Sequence, residues 1–390
     1  MECTIPPPDR LRKPLIIPYK YMMSAGPANC TPRVLHALSQ ATIGPLHKEA
    51  YEVLDDIKAG LQYVFQTKNE MTFAMCGSGT LGMEAALLNL YEPGDTVLVA
   101  CNGIWSERAA QASERHGATV HIIETTHGKT FTLNEIEEAL QKYKPQIFFI
   151  VQAESSIGVL QDVQHIGPLC HKYNCLLIVD AVVGLGGVPI FVDNWDIDVA
   201  FAGSQKALGA PTGTAPITFG PRAVKKMMNR KTKVQCFYMD ALEHARNWKS
   251  LGPDVPRGYH YTLAMNLLFG LREALAEIVE EGLENRWKRH HENAERVRAG
   301  VRKLGLEFFP CEGETLLDCV TTVRAKPGID WRKVRHYAMD VYKMDLPGGA
   351  GKTARQLHRI GHMGSNANSY TADFTLEVLK DAIEHCKINE

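Results

Sequence analysis

Between residues 70 and 220 short apolar runs alternate with longer stretches whose apolar residues recur near helical spacing, and this alternation narrows the possible folds most. Val97–Ala100, Gln146–Gln152, Cys175–Asp180 and Val199–Ala202 read as strands buried on both faces, which parallel sheets require. Glu107–Gly117, Thr132–Tyr143 and Ile166–Tyr173 fill the intervals as helices. The rhythm predicts a large, doubly wound, mostly parallel α/β domain.

At 390 residues the chain exceeds what one hydrophobic core usually holds, so a smaller domain is expected as well. Residues 262–304 look mostly helical. From about residue 305 the pattern becomes an α+β mixture, with Leu317–Val323, Trp331–Met339 and Thr371–Cys386 as its elements. The first residues carry Pro6, Pro7 and Pro8 and no periodicity, the mark of an extended arm laid over something else. The expected division is an arm over 1–22, a large domain over 23–282 and a small C-terminal domain over 283–390.

Charge and cysteine usage exclude several classes of function. Lys and Arg number 43 against 44 Asp and Glu, so no broad field draws the chain to nucleic acid or to an anionic membrane. The ten cysteines, from Cys3 to Cys386, are scattered without a CxxC pair and read as reduced thiols. No histidine or cysteine cluster has metal-ligand spacing, and no metal is expected. No apolar run spans a bilayer, and the N-terminus lacks the apolar core of a signal peptide. The last residues, Ile388, Asn389 and Glu390, do not form the small-basic-leucine peroxisomal address, so a cytoplasmic location is expected.

Four features follow strands of the α/β domain, where open α/β sheets bind ligands. In Cys76-Gly77-Ser78-Gly79-Thr80, glycines and a hydroxyl open an apolar helix, whose free N–H groups attract phosphate; the same loop also reads as an ordinary turn and N-cap. Asn102-Gly103-Ile104-Trp105 puts an aromatic face at a strand end, able to stack on a planar cofactor or to cap the core. Leu176–Asp180 ends a buried run in a carboxylate, which suits a cationic ring nitrogen but also a helix cap or magnesium. Gly203-Ser204-Gln205-Lys206 sets a lysine among small residues at another strand end, and a desolvated lysine attacks an aldehyde to form a Schiff base. Together, in this order, the four point to pyridoxal 5′-phosphate (PLP) held by Lys206, with Asp180 keeping the ring an electron sink.

From about Pro6 to Ala382 the chain resembles the alanine–glyoxylate and serine–pyruvate aminotransferases, class V enzymes that include the insect 3-hydroxykynurenine transaminases. The resemblance is carried by Ser78-Gly79, Asn102–Trp105, Glu154-Ser155-Ser156, Val179–Val182, Gly203–Lys206, Tyr259–Thr262 and Arg359-Ile360-Gly361. It implies a type I PLP-dependent transferase fold, active as a homodimer, with the N-terminal arm crossing to the partner. It also implies that Ser78, Gly79, Thr80 and Gln205 border the phosphate, joined by Tyr259 and Thr262 from the other subunit. Trp105 would stack on the ring, Ser155 or Ser156 would contact the cofactor, Arg359 would grip the substrate carboxylate, and Asn29 would lie at the substrate end.

The implied reaction is ping-pong transfer of an amino group from a small amino acid, alanine or serine, to an oxo acid, glyoxylate or pyruvate. Some positions depart from the family pattern: Thr80, Gln152-Ala153, Ile157, Ser24–Asn29, Val182-Val183-Gly184, Tyr261, and His358 and His362 on either side of Arg359. These departures keep open a 3-hydroxykynurenine or kynurenine transaminase, or a PLP lyase, decarboxylase or oxidase acting on an acidic or polar amino acid. The two histidines also fit ordinary surface or loop positions.

Overall fold

The computed structural model of the protein describes residues 4–387, so Cys3 and the terminal Ile388, Asn389 and Glu390, on which the targeting expectation rests, lie outside the described residues. Strands β1 (Met71–Cys76), β2 (Thr96–Cys101), β3 (Thr119–Glu124) and β4 (Ile147–Val151) are followed by a short hairpin, β5 (Ala153–Glu154) and β6 (Val159–Leu160). After it come β7 (Leu176–Asp180), β8 (Val199–Phe201) and β9 (Thr214–Phe219). The main sheet has the order β1-β9-β8-β7-β4-β2-β3, and only β9 runs against the others. This is the doubly wound, mostly parallel sheet expected.

Burial on both faces explains why β4 and β7 are apolar throughout: every residue of each is buried. The helix Gly79–Leu90 is apolar all round because it lies between the sheet and other helices. A Cβ at Gly82 would come within 3.3 Å of Phe201 and Ala215, so glycine lets this helix sit close to β8 and β9. The helix Leu133–Tyr143 starts on a reciprocal cap, in which Glu135 N donates to Thr132 Oγ1 at 3.3 Å and Thr132 N donates to the Glu135 carboxylate at 2.8 Å.

Three strands of the main sheet were not expected from sequence. Edge strand β3 has an alternating, half-exposed pattern. Strand β9 contains Pro216, which argues against an interior strand. Here Pro216 O accepts from Ala202 N at 2.8 Å, so the missing N–H of Pro216 faces Ala202, one residue past the end of β8, and no ladder bond is lost. Strand β1 pairs with β9 along its whole length.

The helical stretch expected over 262–304 is two helices, Met265–Glu281 and Leu283–Lys303, separated at Gly282 with φ +80°. The second helix bridges two cores. Leu283 packs into the large one, and Val297 and Val301 into a second built from β10 (Val320–Arg324), β11 (Leu357–Gly361) and helices Trp331–Tyr342 and Ser369–His385. Met23 belongs to this second core, although it falls on the large-domain side of the expected border.

The segment from Asp240 onward is core structure: helix Ala241–Asn247 leads to a fully buried Trp248, and both Trp248 and His244 stack against Phe73. Residues 4–19 contrast with this. Ile5, Leu11, Leu15, Ile16, Ile17 and Tyr19 are all at least 66% exposed, so the arm finds no apolar surface on its own chain. Among the described residues no helix is long and apolar enough to cross a membrane, and no group of three metal-ligating side chains comes together.

Candidate active site

The carboxyl ends of β1, β2, β4, β7 and β8 meet around a pocket of about 180 Å³ lined by Ser78, Gly79, Thr80, Trp105, Asp180, Gln205 and Lys206 among others. A larger groove of about 860 Å³ opens at the opposite edge of the sheet, around Met71, Asp198 and Phe219; Lys206 and Asp180 do not reach it. The chemistry lies in the smaller cavity.

Lys206 follows β8 and is buried, with its Nζ donating to the carbonyl of Ala25. Burial strips water from the ammonium, and nearby Arg359 repels it, so its pKa falls to about 8 from the ordinary lysine value. A Cβ at Gly26 would collide with the lysine side chain; the glycine, at φ +103°, makes room for it.

Asp180 ends β7. Its Oδ1 accepts from Val182 N at 2.8 Å, and among the described residues Oδ2 has no hydrogen-bond partner. Burial, reinforced by the negative Glu154, lifts the Asp180 pKa to about 7. A buried carboxyl in this state gains strongly from a cationic partner.

Ser78 is the N-cap of helix Gly79–Leu90, and its side chain makes no capping bond. The first N–H groups of a helix have no intrahelical acceptor, so those of Gly79 and Thr80 face the pocket as ready anion donors. Strand β1 is held firmly behind them: Cys76 N donates to Tyr261 Oη at 3.1 Å, and Tyr238 Oη donates to Cys76 O at 2.6 Å. Tyr261 is therefore a fixture of the loop that follows β1. Gln205 completes this end with a buried Oε1 that has no partner.

Trp105 is held by a device that sequence reasoning missed. Its helix, Ile104–Arg115, has Gly103 at the N-cap and so no capping side chain of its own. The next loop supplies one: Ile104 N donates to Ser156 Oγ at 3.2 Å, and Trp105 Nε1 donates to Ser155 Oγ at 3.1 Å. Glu154 is fully buried beneath the turn, accepts from Ser156 N at 2.9 Å and keeps one oxygen unpartnered. Desolvation raises its pKa to about 7. Both hydroxyls accept in these bonds and keep their own protons to donate, and neither residue is among those lining the pocket. The only sequence signal was an acid and two serines just past a buried strand.

A Cβ at Gly103 would run into the Glu154 carboxylate. Gly103→Ala is accordingly expected to destabilise the protein by about 1–3 kcal/mol and to shift Trp105, measurable as a lower melting temperature and altered fluorescence.

Arg359 lies on β11 opposite Thr322, half-buried, with Nε donating to Gly348 O at 2.9 Å. Among the described residues its terminal nitrogens have no partner and remain free for a carboxylate. The neighbouring histidines do not share its site. His358 stacks on Trp331 at 4.2 Å, and His362 is fully buried with Nε2 2.8 Å from Thr321 Oγ1. Burial drives their pKa values down to about 4 and about 3, so surface placement and a role in selecting charged substrates both fall away.

Asn29 is also placed differently from expectation. Its side chain accepts from Met22 N and from Asn366 Nδ2 and donates to Lys20 O, tying down the N-terminal segment outside the pocket lining. Tyr259 and Thr262 are exposed, bonded to each other at 2.5 Å through their hydroxyls, and lie outside this subunit's pocket.

The residues fit PLP: an anion cradle, a flat indole, a buried acid whose second oxygen is left for a cationic ring nitrogen, and a desolvated amine border one cavity.

Comparison with known proteins agrees. The class V aminotransferase family model matches residues 20–338. An alanine–glyoxylate aminotransferase of Rattus norvegicus is 45% identical over 100% of this chain and 94% of its own length. One from Drosophila melanogaster is 43% identical over 98% of this chain and 97% of its own. The crystal structure of an alanine–glyoxylate aminotransferase from Nostoc sp. superposes with a TM-score of 0.92 at 36% identity, covering 97% of this chain and all of that one. On the strength of this pocket and these matches, the chain belongs to the class V aminotransferases, PLP-dependent enzymes of the type I fold.

Proposed function

We propose that the enzyme transfers the amino group of a small amino acid, alanine foremost, to glyoxylate, with serine and pyruvate as further donor and acceptor. The observation that carries this reading is the small pocket in which Lys206, Asp180 and Trp105 converge, in a chain that alanine–glyoxylate aminotransferases match along its length. The pocket walls add Ala153, Val182 and Val183, apolar side chains that suit a methyl-sized substituent.

PLP, when bound, supplies an electron sink for the electrons left at the substrate α-carbon. Lys206 would hold the cofactor, and its amine would carry the proton at the substrate α-carbon. Its lowered pKa keeps an unprotonated fraction available near neutrality. Asp180 would keep the ring nitrogen protonated. Arg359 orients the substrate carboxylate with its planar fork, which a lysine would not reproduce. Ser78, Gly79, Thr80 and Gln205 hold the phosphate, and Trp105 excludes water from one face of the ring.

The enzyme acts as a homodimer in this reading. The exposed arm, with Ile5, Leu11, Leu15, Ile16 and Ile17 unburied, supports a partner to cover it, and the exposed Tyr259–Thr262 pair supports a contribution to the neighbouring site. The test uses the cofactor-loaded protein, expected to sediment as a dimer. L-Alanine alone should change the cofactor absorbance stoichiometrically, and glyoxylate should restore it. A cofactor band that no small amino acid alters refutes the reading.

A further inference from the structure

The phosphate end of the pocket poses an electrostatic problem. Of the twelve lining residues only three carry charge: Asp180, Lys206 and Arg108. Under the proposed function Asp180 serves the ring nitrogen, and the Lys206 amine is consumed in holding the cofactor. The remaining polar groups at Ser78, Gly79, Thr80 and Gln205 are neutral donors, as are Tyr259 and Thr262. A phosphate ester carries nearly two negative charges at neutral pH, and neutral donors alone leave them uncompensated.

Arg108 lines the same pocket as Ser78, Gly79 and Thr80 and is exposed in this subunit, so its charge is available. It lies one helical turn beyond Trp105, and its guanidinium carbon sits 4.9 Å from the centre of the indole ring, a cation–π contact that orients the fork. The acids nearest it on the two helices flanking the pocket are otherwise engaged: Glu107 pairs with Lys352 at 2.8 Å, and Glu84 lies 3.5 Å from His116. No carboxylate among the described residues pairs with Arg108.

We propose that Arg108 is the counter-cation of the cofactor phosphate and gives the enzyme its preference for the phosphorylated cofactor. The inference rests on the reading of Ser78–Thr80 as the phosphate cradle. A planar guanidinium suits phosphate oxygens better than an ammonium does, and its stacking on Trp105 couples the phosphate end of the cofactor to the ring end.

The test compares two ligands that differ only in the ester: pyridoxal 5′-phosphate and pyridoxal. Wild-type, Arg108→Gln and Arg108→Met proteins are dialysed to equilibrium against graded concentrations of each, with folding checked by circular dichroism. Both variants are expected to bind PLP about 10- to 100-fold more weakly and pyridoxal as well as wild type does. Arg108→Lys, which keeps the charge without the fork, is expected to lose less than tenfold. Equal weakening for both ligands would overturn the proposal, because the guanidinium would then act only through Trp105; so would no weakening for either. A wild-type protein that does not prefer PLP over pyridoxal would instead overturn the cradle reading.

Discussion

Lys206→Ala is expected to lower the transamination rate by about 10⁴-fold, because one side chain both holds the cofactor and moves the α-proton. The fold should survive, since the variant removes a buried amine whose desolvation disfavours it and whose hydrogen bond goes to the Ala25 carbonyl. A small primary amine such as methylamine, added in solution, is expected to restore part of the proton-transfer rate in the space left behind. Full activity in the variant, or a variant that rescue leaves unchanged while another lysine takes up cofactor, would remove Lys206 from its place.

The same residue sets a pH dependence. An amine must lose its proton to attack an aldehyde, and burial beside Arg359 brings the Lys206 pKa down to about 8. Near pH 7.5 roughly a quarter of the lysine is then unprotonated, against about one part in a thousand at the ordinary lysine pKa. The rate at which cofactor-free protein captures PLP is expected to rise about tenfold per pH unit below 8 and to level off above it. Stopped-flow absorbance checks this, and a rise continuing to pH 10 would show that the pocket does not depress the pKa.

Asp180→Asn is the second large effect, expected to cost about 10²- to 10³-fold in activity. Asparagine keeps the Oδ1 acceptor for Val182 N and the side-chain volume, so what disappears is the charge opposite the ring nitrogen. Stability should move the other way. The folded-state pKa of Asp180 is raised to about 7, so in cofactor-free protein the penalty of ionising the buried carboxyl builds as pH rises from the ordinary aspartate value towards 7 and stays in full above it. The variant escapes the penalty. Cofactor-free Asp180→Asn is therefore expected to melt above wild type at pH 8 and close to it near pH 4. A variant that loses activity and stability together at pH 8 would make Asp180 a structural residue.

That Lys206 and Asp180 meet in one cavity was legible in the sequence because Asp180 closes an apolar strand and Lys206 follows another among small residues, where a solvated surface residue has no reason to be. Strands β4, β7 and β8 were legible for the same physical reason, burial on both faces. Strand β9 was hidden because Pro216 argues against an interior strand, and only the position of its nitrogen relative to the end of β8 resolves the conflict. Glu154 and its serines were hidden because a cap supplied from another loop leaves no pattern in the helix it caps. His358 and His362 misled because adjacency to Arg359 in sequence ignores how a strand sends neighbouring side chains to opposite faces.

The placement of Met23 in the C-terminal core also orders events during synthesis. Tyr21 exchanges backbone hydrogen bonds with Lys343 and Asp345, Gly361 N donates to Met23 O, and the same segment presents Ala25 to Lys206. The main sheet needs nothing beyond β9, so it can assemble while the C-terminal third is still on the ribosome. Residues 21–29 cannot settle until the chain past Gly361 emerges, so the lysine acquires its finished surroundings only when translation is nearly complete.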